Sequence, residues 1–126
     1  MVPAIYTSYY GKLNKIDTEK YSPINIAGKQ PDGVSLPTCK ELVPPKSLVF
    51  DYKDGKIKKS EYVYKYNEQL DKLTVIDVLG KLMTMADGKT PVLMCYERPE
   101  AFCHRQLVLW WIKSYYTITA EELGGL

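Results

Sequence analysis

Hydrophobic and polar positions fall in short blocks along the chain, and their period changes from block to block. Ala4 to Tyr9 is β-branched and aromatic and runs into Gly11, which predicts a first strand ending near Ser8. Pro23-Ile24-Asn25-Ile26-Ala27 alternates and stops at Gly28, a second strand. The turn formers Pro31, Asp32 and Gly33 follow. Pro31, Pro37, Pro44 and Pro45 limit any helix in this stretch to a short one around Thr38–Leu42. Ser47-Leu48-Val49-Phe50 reads as a further strand candidate ahead of the Asp54-Gly55 turn.

The period then becomes helical. Ser60 offers a cap, and Tyr62, Tyr66, Leu70 and Leu73 recur on one face. Thr74 and Asp77 have capping-box spacing, followed by an apolar stripe of Ile76, Leu79, Met83 and Ala86. Gly88 stands where a C-terminal cap is expected, and Pro91 forbids continuation. Pro91-Val92-Leu93-Met94-Cys95 is continuously apolar, as a central parallel strand covered on both faces would be. Pro99 suits the start of a new helical stretch. From Cys103 to Tyr116 the chain is apolar nearly all round, so this helix is expected to be largely buried. Trp110-Trp111 is expected in the core or in an oligomer contact. The last ten residues read as a tail or terminal turn.

Strands alternating with helices predict an α/β fold, a small single domain over residues 1–126 with a mostly parallel sheet flanked by helices. Ligands of such sheets sit beyond the carboxyl ends of the strands. That rule selects Tyr6, Thr7 and Ser8, the loop after Ala27, and the connection from Cys95 to Arg105 as the candidate site.

Composition narrows the chemistry. The 126 residues are 45% hydrophobic and 25% charged, which excludes disordered and low-complexity classes. Net charge is only +2 and the isoelectric point about 8.3, too mild for a dedicated duplex-DNA binder. The start lacks the basic stretch and apolar core of a signal peptide, and no apolar run is long enough to span a bilayer. A cytoplasmic address is expected. Three cysteines, Cys39, Cys95 and Cys103, are expected to be free thiols. Fifteen of the 17 basic residues are lysines, a bias that suits a bacteriophage or a low-GC bacterium. Both arginines, Arg98 and Arg105, fall in the window that also holds Cys95, Cys103 and the single histidine, His104.

In that window a strand empties into a loop that feeds a helix N-terminus, where free N–H groups and the dipole favour an anion. Arg105 either clamps that anion or pairs with a distant carboxylate. Arg98 does likewise, with Glu97 or Glu100 as carboxylates. Cys103 at the helix start beside His104 and Arg105 is a candidate nucleophile of lowered pKa, with His104 as its base. Cys95 reads as a small packed residue. Ala101 stands where a cysteine-phosphatase loop needs Arg, which excludes that family. Zinc is not expected, because no cysteine pair has finger-like spacing. No cofactor is expected. Eleven tyrosines, among them Tyr6, Tyr9, Tyr10 and Tyr96 near strand ends, suit base stacking.

Leu93-Met94-Cys95-Tyr96-Glu97-Arg98-Pro99 with Cys103-His104-Arg105 resembles the signature of the domain of unknown function 488 family. Members typically show a strand ending in Cys-Tyr-Glu and a Cys-His-Arg opening the last major helix. Ile5 to Tyr9 is similar to the first strand of one subgroup, and the resemblance spans about residues 4–113. Many members carry Gly-His-Ser where this chain has Thr7-Ser8-Tyr9, and Ser where it has Gln106. The resemblance implies a small α/β domain of Rossmann-like topology and no settled reaction.

The expected function is binding of an anionic ligand, a nucleotide or single-stranded nucleic-acid fragment. Its candidate contacts are Tyr6, Thr7, Ser8, Cys95, Tyr96, Glu97, Arg98 and Arg105. The alternatives are an enzyme using Cys103 or His104 on such a ligand, and an interaction factor with an aromatic partner face. No membrane partner is expected, and homo-oligomerisation is left open.

Overall fold

The apolar run before Cys95 organises the chain. In the computed structural model, which describes residues 4–97 and 102–124, that run is the inner strand of a four-stranded, all-parallel sheet. The strands are β1 (Ile5–Tyr9), β2 (Tyr21–Asn25), β3 (Thr90–Cys95) and β4 (Ala120–Glu122), in the order β2-β3-β1-β4. β3 is buried from Pro91 to Cys95, as a strand paired on both sides and covered on both faces must be. Three helices, α1 (Lys46–Lys53), α2 (Lys59–Asp71) and α3 (Val75–Ala86), connect β2 to β3. A fourth, α4 (His104–Tyr115), connects β3 to β4. The expected small α/β domain with a parallel sheet flanked by helices is what the chain adopts.

The two faces of the sheet are unequal. Ile5, Ile24, Leu93 and Cys95 point to the larger core, where all four helices bury residues, among them Leu48, Tyr66, Leu79 and Val108. Val92 and Met94 point the other way, onto Ile16, Tyr6, Tyr10, Leu13 and Tyr21. This follows from the two-residue period of a strand. No helix among the described residues is long and apolar enough to cross a membrane.

Several expectations shift. Ser47–Phe50 is not a strand but part of α1, entered through Pro45. Three apolar residues in a row, Leu48 to Phe50, fit either period. The deciding position is Tyr52, which packs with Leu48 and Val49 at helical spacing. The α2 helix starts after Lys58, not Ser60, but buries Tyr62, Tyr66 and Leu70 as expected. Thr74 precedes α3 without a side-chain capping bond. The buried stripe of α3 is Val75, Val78, Leu79, Leu82 and Ala86, while Ile76 is 48% exposed. Apolar residues cover most of that helix's girth, so docking on β2 and β3 selects the buried line, not the sequence period. Asp87 closes α3 in the left-handed conformation and Gly88 follows at φ 86°, which supports the cap expected there. Trp111 is core, but Trp110 is 66% exposed. The expected helix start at Pro99 lies outside the described residues.

The terminal segment is the largest departure. Residues 120–122 form β4 beside β1, with the Ile5 N–H donating to the Thr119 carbonyl at 2.8 Å and the Leu123 N–H to the Thr7 carbonyl at 2.8 Å. Ala-Glu-Glu has poor strand propensity. Its position is held by Glu122, which accepts from Arg105 Nε at 3.0 Å and Nη2 at 3.3 Å, and from the Thr7 hydroxyl at 2.5 Å. Arg105 is 0% exposed, so its charge needs this carboxylate. Glu122→Gln should therefore lower unfolding stability by about 2 kcal/mol, less than the ~3–5 of a fully buried pair because Glu122 is partly exposed. Glu121→Gln, one residue away and exposed, should leave the urea midpoint unchanged.

Candidate functional site

At the carboxyl end of the sheet, β2 and β3 stop side by side and their chains part. The last ladder bond is from the Ile26 N–H to the Met94 carbonyl at 3.1 Å. Asn25 fixes the departure of the β2 chain. Its side-chain amide donates to the Ala27 carbonyl at 2.9 Å and to the Thr38 hydroxyl at 3.1 Å. Its Oδ1 accepts from the Ala27 N–H at 3.1 Å and the Tyr10 phenol at 2.6 Å. Burial, and then the neighbouring Tyr96, push the Tyr10 phenol's pKa up and keep it a donor.

Between the parted chains and α1 opens a cleft of about 970 Å³. Its floor is Cys95, Cys103 and His104. Its walls include Tyr52, Tyr62 and Phe102, whose rings pack with centroids 5.3 to 5.8 Å apart. Its rim carries Lys29, Lys46 and Lys53 against Asp32 and Glu97. Lys53 Nζ lies 3.4 Å from Glu97 Oε1. Phe50 and Tyr96 bring two further rings to the cleft, 57% and 42% exposed.

The three cysteines are not all free. Cys95 and Cys103 form a disulfide, and Cys39 alone is a free, buried thiol. An odd count could not reveal the pair. The end of β3 and the start of α4 bring together two sulfurs eight residues apart in the chain. Cys103 is the N-cap of α4, and its N–H donates to the Gln106 side chain at 3.4 Å.

His104, in the first turn, faces inward. Its Nε2 lies 2.6 Å from the Ile26 carbonyl, an acceptor only, so Nε2 carries the proton. Nδ1 then presents its lone pair to both sulfurs, 3.6 Å from Cys103 Sγ and 3.9 Å from Cys95 Sγ. Burial pushes the imidazole pKa down to about 4, with the Arg105 charge adding to the effect and the Ile26 carbonyl opposing it. His104 is a neutral base at pH 7. The donor atoms of Cys95, Cys103 and His104 lie within 4.8 Å of one another, but joined sulfurs are not thiolate ligands.

The expected site residues divide. Cys95, Tyr96, Glu97, Cys103 and His104 line the cleft. Thr7 is buried behind the floor, bonded to Glu122. Tyr6 packs on the opposite face against Tyr21, and Ser8 alternates with Thr7 onto that same face. Arg98 lies outside the described residues. Arg105 stands behind the floor, its guanidinium committed to Glu122, the carboxylate alternative raised by the sequence. Asn25, Phe50, the rim lysines and Glu122 were not singled out from sequence. Only the need of a rare arginine for a carboxylate pointed toward Glu122.

The depressed His104 pKa sets a sign for stability against pH. In the unfolded chain the imidazole titrates near 6.5. As pH falls below that value the unfolded state takes up a proton that the folded state refuses until about 4. Stability is therefore full above about pH 6.5 and declines toward pH 4, by about 3 kcal/mol from this group. Urea midpoints across that window should show the decline, and His104→Gln, which can still donate to the Ile26 carbonyl, should flatten it.

A family model described as the active DUF488-N3 subclade matches residues 8–116. No curated protein and no solved structure matches the chain. The matched span contains α1 to α4, β2, β3 and the whole Cys95-to-Arg105 window, so the signature seen in the sequence and the residues lining the cleft all fall inside it. The chain is a member of the DUF488 family.

Proposed function

We propose that the cleft binds an anionic ligand, a nucleotide or single-stranded nucleic-acid fragment, in the cytoplasm of a low-GC bacterium or a cell its phage infects. The observation that carries this reading is the pairing of exposed rings with lysines around one opening. Phe50, and Tyr96 beyond its contact with the Tyr10 ring at 5.2 Å, keep exposed ring surface for stacking, which every base accepts. Lys29 and Lys46 have no carboxylate partner among the described residues, and the Lys53–Glu97 pair is exposed enough for a phosphate to displace the carboxylate. The phosphate contact thus passes from Arg105, which is buried, to the lysines of the rim.

A second reading is an enzyme acting on such a ligand with Cys103 or His104. Both line the cleft, His104 is a neutral base facing the sulfurs, and the matched subclade is described as active. Cys103 would serve as a nucleophile only after reduction of its disulfide.

Thermal shifts with nucleoside mono-, di- and triphosphates and short oligonucleotides test the binding. At least one should raise the melting temperature, with an affinity that falls as salt rises. Lys29→Ala with Lys46→Ala should weaken binding about tenfold, since each exposed charge contributes up to ~1 kcal/mol. Absence of a shift from every member of the panel would sink the proposal. Product formation from the bound nucleotide would establish the enzyme reading.

A further inference from the structure

We propose that Cys95 and Cys103 form a thiol–disulfide exchange centre, a dithiol/disulfide pair that reacts with low-molecular-weight thiols entering the cleft. The pair is poorly placed to be a structural staple. It joins residues eight apart in sequence, the short-loop case in which a cross-link restricts the unfolded chain least. The larger core already unites all four helices with the sheet. Both sulfurs instead sit on the cleft floor.

The surroundings suit the reduced form. Arg105 Nη1 lies 3.6 Å from Cys95 Sγ. A disulfide sulfur is a weak acceptor and gains little from a guanidinium N–H, whereas a thiolate accepts a charge-assisted hydrogen bond from it. Cys103 Sγ stands at the N-cap of the twelve-residue α4, whose dipole favours an anion there. Each sulfur therefore has its own source of positive potential, and His104 Nδ1 faces both as a neutral acceptor. Exchange is faster when the leaving thiol has a low pKa. The guanidinium donor beside Cys95 makes it the leaving group and Cys103 the sulfur attacked.

The reaction balances as follows. A small thiol enters as its thiolate, its proton left to bulk water, and its sulfur bonds to Cys103 Sγ. The Cys95–Cys103 bond breaks, and its electron pair goes to Cys95 Sγ as a thiolate held by Arg105. A second small thiol attacks the small-molecule sulfur of the mixed disulfide and releases Cys103 as the second thiolate. Two small thiols are oxidised to one disulfide, the protein disulfide is reduced by two electrons to two thiolates, and the two protons of the small thiols pass to bulk water. A small-molecule disulfide drives the same steps in reverse.

The experiment treats the oxidised, folded protein with reduced glutathione or dithiothreitol at neutral pH. Samples are quenched by alkylation and the modified thiols counted by mass after denaturation. One alkylated cysteine, Cys39, should become three without loss of the folded spectrum, and oxidised glutathione should return the count to one. With oxidised glutathione, Cys95→Ser should trap one glutathione on Cys103 and release the other as the thiol. In Cys103→Ser, alkylation of Cys95 should have a pH midpoint below the ~8.5 of an ordinary thiol. Arg105→Lys in that background should raise the midpoint, with a thermal melt confirming the fold. A disulfide that opens only under denaturant, or a Cys95 midpoint at or above ~8.5, would overturn the proposal.

Discussion

A guanidinium with no exposed surface is the constraint on which this structure turns. Arg105 is fully buried at the start of α4, and a buried charge persists only when paired and hydrogen-bonded. The pairing draws in three strands. Nε and Nη2 reach Glu122 of β4, Nη1 reaches Cys95 at the end of β3, and the ring of Tyr9 on β1 lies 5.9 Å from the guanidinium carbon. Thr7 of β1 takes the same carboxylate oxygen as Nε. A three-residue strand of Ala-Glu-Glu would not form from propensity alone. It forms because the edge of β1 supplies its ladder and Arg105 supplies a partner for its last side chain.

The cleft depends on that anchoring at one remove. With Arg105 fixed, His104 beside it points the other way around the helix and reaches the Ile26 carbonyl at the end of β2. The first turn of α4 thus touches the ends of β2, β3 and β4 through two adjacent residues, and α4 cannot slide without breaking both sets of contacts. Asn25 does the corresponding work on the opposite wall. Its four bonds hold the turn after β2 open from α1, and Tyr66 supports the α2 side through its phenol on the Leu42 carbonyl. The walls are rigid polar and aromatic contacts, while the lysines that meet solvent are long and mobile.

Local signals were legible in the sequence and distant ones were not. The apolar run before Cys95 placed the inner parallel strand, and the Tyr62, Tyr66, Leu70 spacing placed α2, because burial on both sides or on one stripe leaves a pattern in consecutive residues. Ser47–Phe50 read as a strand and is helix, since three apolar residues in a row carry no period. Tyr6, Thr7 and Ser8 were grouped as one contact set, yet the strand's two-residue alternation sends Thr7 to Glu122 and Tyr6 to Tyr21 on the other face. The ends of the Cys95–Arg105 window were recognisable by residue type. What those residues touch was not. The disulfide depends on where the end of β3 and the start of α4 sit in space, and the Arg105 partner depends on a strand that seventeen residues of separation and poor propensity conceal.

The arrangement also accounts for the identity of residue 105 in a chain that otherwise favours lysine. An ammonium is a compact point charge, and buried against Glu122 it could still satisfy that carboxylate. It could not at the same time hold a fixed donor toward Cys95. The guanidinium fork separates the tasks, with Nε and Nη2 on the carboxylate and Nη1 directed at the sulfur. Because the carboxylate does not use Nη1, a charge developing on Cys95 meets a donor already in position, and little need move when the sulfur changes state. Glu122 lowers the net charge of the pair, so the floor of the cleft remains near neutral while the rim is cationic. A phosphate is thereby favoured at the lysines near solvent, and the sulfurs and imidazole at the floor are left to the uncharged part of whatever enters.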